Sequence, residues 1–362
     1  MLAAYVSGHG FGHATRTAEV LKALRRRAPG LPLTVVTSGP EALYRDALQG
    51  AFAFRRLECD VGLAQKDALR IDVDGTVGAW RAFAAGWHER VQTEAAWLRA
   101  SAARIVLGDI PPLAFAAAAE AGVPAVGVAN FSWDWVYRHL AREQPQLFEA
   151  AEAAREAYGL ADLLLRLPFA GDMSAFPRIE DVPLVARRPR VGRDEARRRL
   201  GLDGRPAILL SFGGLGLPGF DPAVLAPLHD MLFLSVGEWA AGPANLRSVA
   251  ASELAALGLG YEDLVGAADV VVTKPGYGIV ADAIGGRTRL VYTERGDFPE
   301  YPIIVEGMSR LVPSVHVSNQ DLMAGRLEAS IRRVLGMPFP AEPDMSGAEV
   351  VAGRLLERTA AR

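Results

Sequence analysis

Residues 269–283 read D-V-V-V-T-K-P-G-Y-G-I-V-A-D-A, a stretch that changes its period in the middle. Residues 269–273 form a short β-branched run, apolar between Asp269 and Thr273, the pattern of a strand covered on both faces in a parallel sheet. Lys274, Pro275, Gly276, Tyr277 and Gly278 break the run, and Ile279, Val280, Ala283 and Ile284 resume the apolar pattern at helical spacing. The loop therefore stands at the carboxyl end of a strand and opens a helix. Open α/β sheets bind ligands there, and the free amides and dipole of a helix start favour a phosphate. Gly276 and Gly278 permit close backbone approach, and Lys274 adds a positive charge. The same residues also read as a tight strand-to-helix turn with a solvated lysine.

A chain of 362 residues exceeds one comfortable core, so two domains are expected. Half of the residues are hydrophobic, and the formal net charge of −3 argues against a general nucleic-acid-binding surface. Arg25, Arg26 and Arg27 end a predicted helix, where cations suit the dipole. Arg197, Arg198 and Arg199 read as the solvated face of another. The single cysteine, Cys59, excludes an internal disulfide and a cysteine-based zinc cluster, and it fits a reducing cytosol as a packed thiol. There is no charged leader with an apolar core behind it, and no apolar run reaches the roughly 18 residues that cross a bilayer. The expectation is a cytoplasmic protein without stable membrane insertion.

The N-terminal half begins with a strand at 3–7 and a glycine loop, Gly8-His9-Gly10-Phe11-Gly12-His13, after which Thr15 is placed to cap a helix. Strands follow at 33–37, 52–57, 104–108, 124–129 and 162–167, and one long helix is expected over 77–101. The glycine spacing is G-x-G-x-G, and the second strand ends in Thr37-Ser38 where a dinucleotide fold would carry an acidic ribose ligand, so a nicotinamide enzyme is disfavoured. Two of the chain's six histidines, His9 and His13, stand in this loop at the mouth of the first strand. An imidazole there can take a proton from a hydroxyl nucleophile. Asp109 ends the fourth strand on the same sheet edge, where it can hold one nitrogen of His13 and leave the other as a base, or else cap the helix behind Pro111. Residues 60–74 are polar enough for a binding loop. Asn130, Ser132 and Asp134, interleaved with Phe131, Trp133 and Trp135, read either as a carbohydrate-binding surface or as a helix cap over a buried aromatic cluster.

Residues 168–190 are rich in proline and aperiodic, and the interdomain connection is expected there. Strands are expected at 207–211, 231–236 and 289–293, besides the one at 269–273. Gly213 and Gly214 sit in a second glycine loop after the first of these. The division is thus 1–167, a linker at 168–190, 191–345, and a terminal helix at 346–362 that can pack back on the first domain.

Two α/β halves, each with a glycine loop, resemble the layout of the GT-B glycosyltransferases: Rossmann-like parallel-sheet domains facing across a cleft. Several stretches are similar to the glycosyltransferase-like half of plant L-arabinokinases and their bacterial relatives. They are Gly8 to Arg16 (G-H-G-F-G-H-A-T-R), residues 60–74, 108–135 with N-F-S-W-D, 181–188 (D-V-P-L-V-A-R-R), 211–214 and 274–300. No G-L-S-S-S-A type phosphate loop occurs, so kinase activity is not implied. The resemblance to MurG and plant UDP-glycosyltransferases implies that His13 is the base, supported by Asp109. It further implies that Gly213, Gly214 and Lys274 to Gly278 hold the donor diphosphate, with Glu300 as an acidic donor contact. The acceptor would meet His9, Phe11, Asn130, Ser132, Trp133 and Asp134. The implied reaction is inverting transfer from a nucleotide-diphosphate sugar, a UDP-sugar first among the candidates, without a metal or other cofactor. The alternatives are a non-catalytic nucleotide-sugar binder, or an epimerase or hydrolase on the same fold. The tryptophan-rich donor signature of the plant enzymes is absent.

Overall fold

The computed structural model describes residues 1–67, 70–213, 217–236 and 242–360. Among the described residues thirteen strands make two sheets, and every pairing of these strands is parallel. The first sheet contains β1 (Leu2–Val6), β2 (Leu33–Thr37), β3 (Ala53–Arg56), β4 (Ile105–Asp109), β5 (Ala125–Ala129), β6 (Leu163–Arg166) and β7 (Ile179–Asp181), in the order β3-β2-β1-β4-β5-β6-β7. The second contains β8 (Ala207–Ser211), β9 (Leu232–Ser235), β10 (Leu246–Ser248), β11 (Val270–Thr273), β12 (Arg289–Tyr292) and β13 (Ser314–His316), in the order β10-β9-β8-β11-β12-β13. The central strands β1, β4, β5 and β11 are buried along their whole length. Their predominance of Val, Leu, Ile and Ala follows, because helices cover both faces of a parallel sheet.

Three strands lie where the sequence showed no period. β7, β10 and β13 are three residues each, and all are edge strands of their sheets. Three residues cannot display an alternation, and an edge needs no continuous apolar run. β7 belongs to the first sheet, so the stretch read as an aperiodic linker carries a strand of the N-terminal lobe.

The helix expected over 77–101 is two, Val73–Ala85 and Trp87–Ala100, parted at Gly86. Thr15 does not cap the first helix. That helix begins four residues earlier, at Phe11, with Gly10 at its N-cap in a left-handed conformation (φ 76°) that favours glycine. The helix Gly347–Ala360 crosses back to the first lobe, where Arg27 donates to the Glu349 carbonyl at 3.0 Å and Arg104 to that of Thr359 at 2.7 Å. Among the described residues no helix is long and apolar enough to cross a membrane.

Candidate active site

Val6, the last residue of β1, pairs with Asp109, the last of β4, and the Ser7 amide donates to the Asp109 carbonyl at 2.8 Å. This register starts the glycine loop beside the Asp109 carboxylate. The helix Phe11–Arg27 then brings His13, Arg16 and Thr17 to one face, since residues three and four apart are neighbours on a helix. All three reach the carboxylate. His13 Nδ1 lies 2.8 Å from Oδ1, Arg16 donates through Nε at 2.8 Å and Nη2 at 2.5 Å, and the Thr17 hydroxyl donates to Oδ2 at 2.7 Å. Asp109 is fully buried. Burial alone would raise its proton affinity, but the Arg16 guanidinium and His13 outweigh it and hold the carboxyl well below its usual range.

The ionised Asp109 carboxylate can only accept, so Nδ1–H of His13 donates to it, and in the neutral tautomer that does so the lone pair stands on Nε2. Arg16 Nη2 also lies 3.0 Å from Nδ1; a guanidinium only donates, so this proximity comes from both groups sharing Oδ1. The His13 side chain is buried, with 7 % of its surface exposed.

Arg16 also carries the arrangement into the second lobe. Its Nη1 donates to Asn130 Oδ1 at 2.6 Å, and Asn130 Nδ2 donates to Glu300 Oε1 at 2.6 Å. Glu300 Oε2 in turn accepts from Arg295 Nη1 at 2.8 Å. The Arg16 guanidinium lies 5.2 Å from the Tyr277 ring centroid, and the Tyr277 hydroxyl bonds the Val185 backbone. Asn130 and Glu300 are both buried, with their polar atoms taken by one another, by Arg16 and by Arg295, so neither presents the open sugar contact expected of it.

Across the crevice, β11 ends at Thr273, paired with Ser211 of β8 and Tyr292 of β12. Lys274 is half-buried and Pro275 buried, and Gly276 is the N-cap of the helix Tyr277–Gly285, which no side chain caps. Among the described residues, the amides of Gly276, Tyr277 and Gly278 find no acceptor. The helix Phe11–Arg27 starts in the same way, without a side-chain cap at Gly10. These two uncapped helix starts meet: a Cβ on Gly278 would lie 3.1 Å from Gly12 Cα, so glycine is what permits the contact. Burial first, then the neighbouring Arg295, pushes the Lys274 ammonium down to about 8. Gly213 lies exposed two residues beyond β8 with φ 73°, and Gly214 falls outside the described residues.

The aromatic segment completes the wall. The His13 ring meets Phe131 edge-on at 5.4 Å, and Phe131 meets Trp133 at 5.1 Å and Phe298 of the second lobe at 6.0 Å. The Trp133 indole N–H donates to Asp60 Oδ2 at 2.8 Å, and His9 Nε2 lies 3.8 Å from Asp60 Oδ1. Gly62 faces His9 with φ 58°, and a Cβ there would fall 2.2 Å from the imidazole. His9 and Phe11 are open to solvent at the rim, with 35 % of the His9 side chain and 47 % of Phe11 exposed. Trp133, Ser132 and Asp134 are not: all three are buried in the first lobe. For these the buried-cluster half of the alternative holds: Ser132 occupies the N-cap position of the helix Trp133–Leu140 without capping it through its side chain, and Asp134 stands in the first turn. Burial raises the proton affinity of Asp134, whose Oδ1 has no partner.

Arg16, Thr17, Asp60 and Arg295 had no assigned role in the sequence reading. The first two carried a usable signal, their spacing of three and four from His13. Asp60 carried none, since its partner Trp133 is distant in the chain; Arg295 lies five residues from its partner Glu300 in a loop, where no periodic spacing marks a pair.

No protein-family model matches the chain. An L-arabinokinase of Arabidopsis thaliana is 31% identical over 370 residues, a match that covers 99% of this chain and 34% of the relative, so the chain spans about a third of that protein's length. Among solved structures, Arabidopsis thaliana UGT89C1 complexed with UDP superposes with a TM-score of 0.62 at 14% identity, covering 99% of each chain. The glycosyltransferase of kitacinnamycin gives 0.61 at 17% identity, covering 99% of this chain and 94% of that one. A putative UDP-N-acetylglucosamine 2-epimerase from Listeria monocytogenes gives 0.58 at 13% identity, over 98% and 94%. With its two parallel sheets meeting at the loops that follow their strands, this chain has the fold of the GT-B glycosyltransferases.

Proposed function

We propose that the protein transfers a sugar from a nucleotide-diphosphate donor, a UDP-sugar first among the candidates, to an acceptor hydroxyl in the crevice, with inversion and without a metal. His13 Nε2 takes the acceptor proton as the acceptor oxygen attacks the anomeric carbon. The bond from that carbon to the diphosphate breaks on the opposite face. Asp109 keeps the proton of Nδ1 in place and balances the imidazolium that forms. The amides of Gly276, Tyr277 and Gly278, with Lys274, stabilise the charge that grows on the leaving diphosphate. His9 and Phe11, exposed at the rim, are the acceptor contacts that remain from the sequence reading.

The observation that carries this is a carboxylate-held imidazole on a helix whose start touches the uncapped helix start beside Lys274. His13→Ala tests it. A general base contributes about 10²–10⁴ in rate, so turnover should be lost while UDP affinity, measured by calorimetry, stays nearly unchanged. A variant that retains full turnover refutes the role.

A second reading has one observation in its favour. His9 beside Asp60 is a second imidazole–carboxylate pair on the same rim, and an epimerase needs both an acid and a base. Conversion of a UDP-sugar to its epimer with no acceptor present would replace transfer by that reading.

A further inference from the structure

We propose that Arg295 is a diphosphate-binding cation of this crevice, aimed by Glu300; the inference rests on the donor reading above and assigns that site a contact it did not include. Arg295 stands in the loop between β12 and the helix Glu300–Met308. Its Nη1 donates to Glu300 Oε2 at 2.8 Å, and its guanidinium lies 4.1 Å over the Phe298 ring. The same Nη1 is 3.6 Å from where a Cβ of Gly276 would stand, so the cation hangs over the uncapped helix start. Glu300 is its one hydrogen-bond partner among the described residues, and the remaining N–H donors of the guanidinium fork are available to a ligand. The Arg295 side chain is 20 % exposed, against 2 % for Glu300, so the carboxylate is sealed and the cation is reachable.

Arg295 is near enough to Lys274 to lower its proton affinity, Asp67 acts the other way, and the helix start adds a further positive source. The buried carboxylate against them, Glu300, is shared with Asn130. A diphosphate offers two negative charges and oxygens that suit a forked donor, and it relieves that repulsion. The aim of Arg295 is set from the other lobe, because Asn130, which orients Glu300, is itself held by Arg16. This explains why an acidic residue lies so near a phosphate loop: Glu300 points the arginine and does not touch the donor.

The test uses the full chain, with UDP and uridine as probes at pH 7.5 by calorimetry. Arg295→Gln keeps a donor for Glu300 and removes the charge; it should weaken UDP by about tenfold or more, the worth of one charge-assisted hydrogen bond, and leave uridine unchanged. Arg295→Lys should recover part of the loss. Glu300→Gln should weaken UDP in the wild-type background and have no further effect beside Arg295→Gln, as expected for a residue that acts through the arginine. If Arg295 only neutralises Glu300, Arg295→Gln lowers the melting temperature and shifts both probes equally or not at all, which overturns the inference and leaves the donor reading standing. If wild type binds no UDP, the donor reading fails and this inference with it.

Discussion

Arg16→Met should destabilise the protein in a way that depends on pH, and the sign of that dependence distinguishes charge balance from lost packing. Asp109 is fully buried and receives two hydrogen bonds from Arg16, one from Thr17 and one from His13. Removing the guanidinium strands a buried carboxylate and also takes the donor from Asn130 Oδ1. Breaking a buried pair from one side costs about 3–5 kcal/mol, and a loss of that size lowers the melting temperature by on the order of 10 °C.

In the wild type the Asp109 carboxyl is held below its unfolded value. Its contribution is therefore complete above about pH 4 and is lost only as pH falls further. Without Arg16, burial becomes the dominant influence and raises that carboxyl, so the folded variant takes up a proton where the unfolded chain holds none. The variant then gains stability as pH falls from 8 towards 5, and the wild type does not gain this increment. Scanning calorimetry at pH 8, 7, 6 and 5 should show the two melting temperatures drawing together. In addition, Arg16→Met combined with Asp109→Asn should cost less than the sum of the single changes. A gap that stays constant across this range, with additive costs, would mean that Arg16 is packing and not the counter-charge of Asp109.

Three further outcomes are expected. An ordinary lysine stays charged to about pH 10.4, but Lys274 sits at about 8 under burial and Arg295, with Asp67 acting the other way, so UDP affinity should fall as pH rises through 8 to 9. A terminal phosphate titrates at about 6 and so does not contribute there, and a flat affinity profile up to pH 9, below the ionisation of the uracil ring, removes Lys274 from the phosphate contacts. Gly278→Ala places a methyl 3.1 Å from the Gly12 backbone and should lower the melting temperature by a few degrees, whereas a Cβ on Gly12 meets nothing nearer than 3.7 Å. Gly12→Ala should accordingly be neutral or stabilise by up to about 1 kcal/mol, as Gly→Ala does in a helix; no loss from Gly278→Ala would show that the two helix starts do not touch.

Much of the site could be read from local pattern because parallel strands present their ends on one edge. His13 and Asp109 meet for that reason, and Lys274 to Gly278 open a helix where the period changes. The surface read into residues 130–134 failed differently: polar and aromatic residues in alternation look alike on a binding face and in a capped helix over a buried cluster. Burial alone separates the two, and it falls on the side of the buried cluster for Ser132, Trp133 and Asp134.

What the sequence by itself determined is the set of strand-to-loop-to-helix units, since hydrophobic period, β-branched runs and glycine punctuation act over a few residues at a time. Only the tertiary structure decided which polar groups face a ligand and which are consumed inside. Arg16 reaches Asn130 over a separation of 114 residues and Asn130 reaches Glu300 over 170. Nothing local marks such partners, because a hydrogen bond requires only about 3 Å in space and is indifferent to distance along the chain.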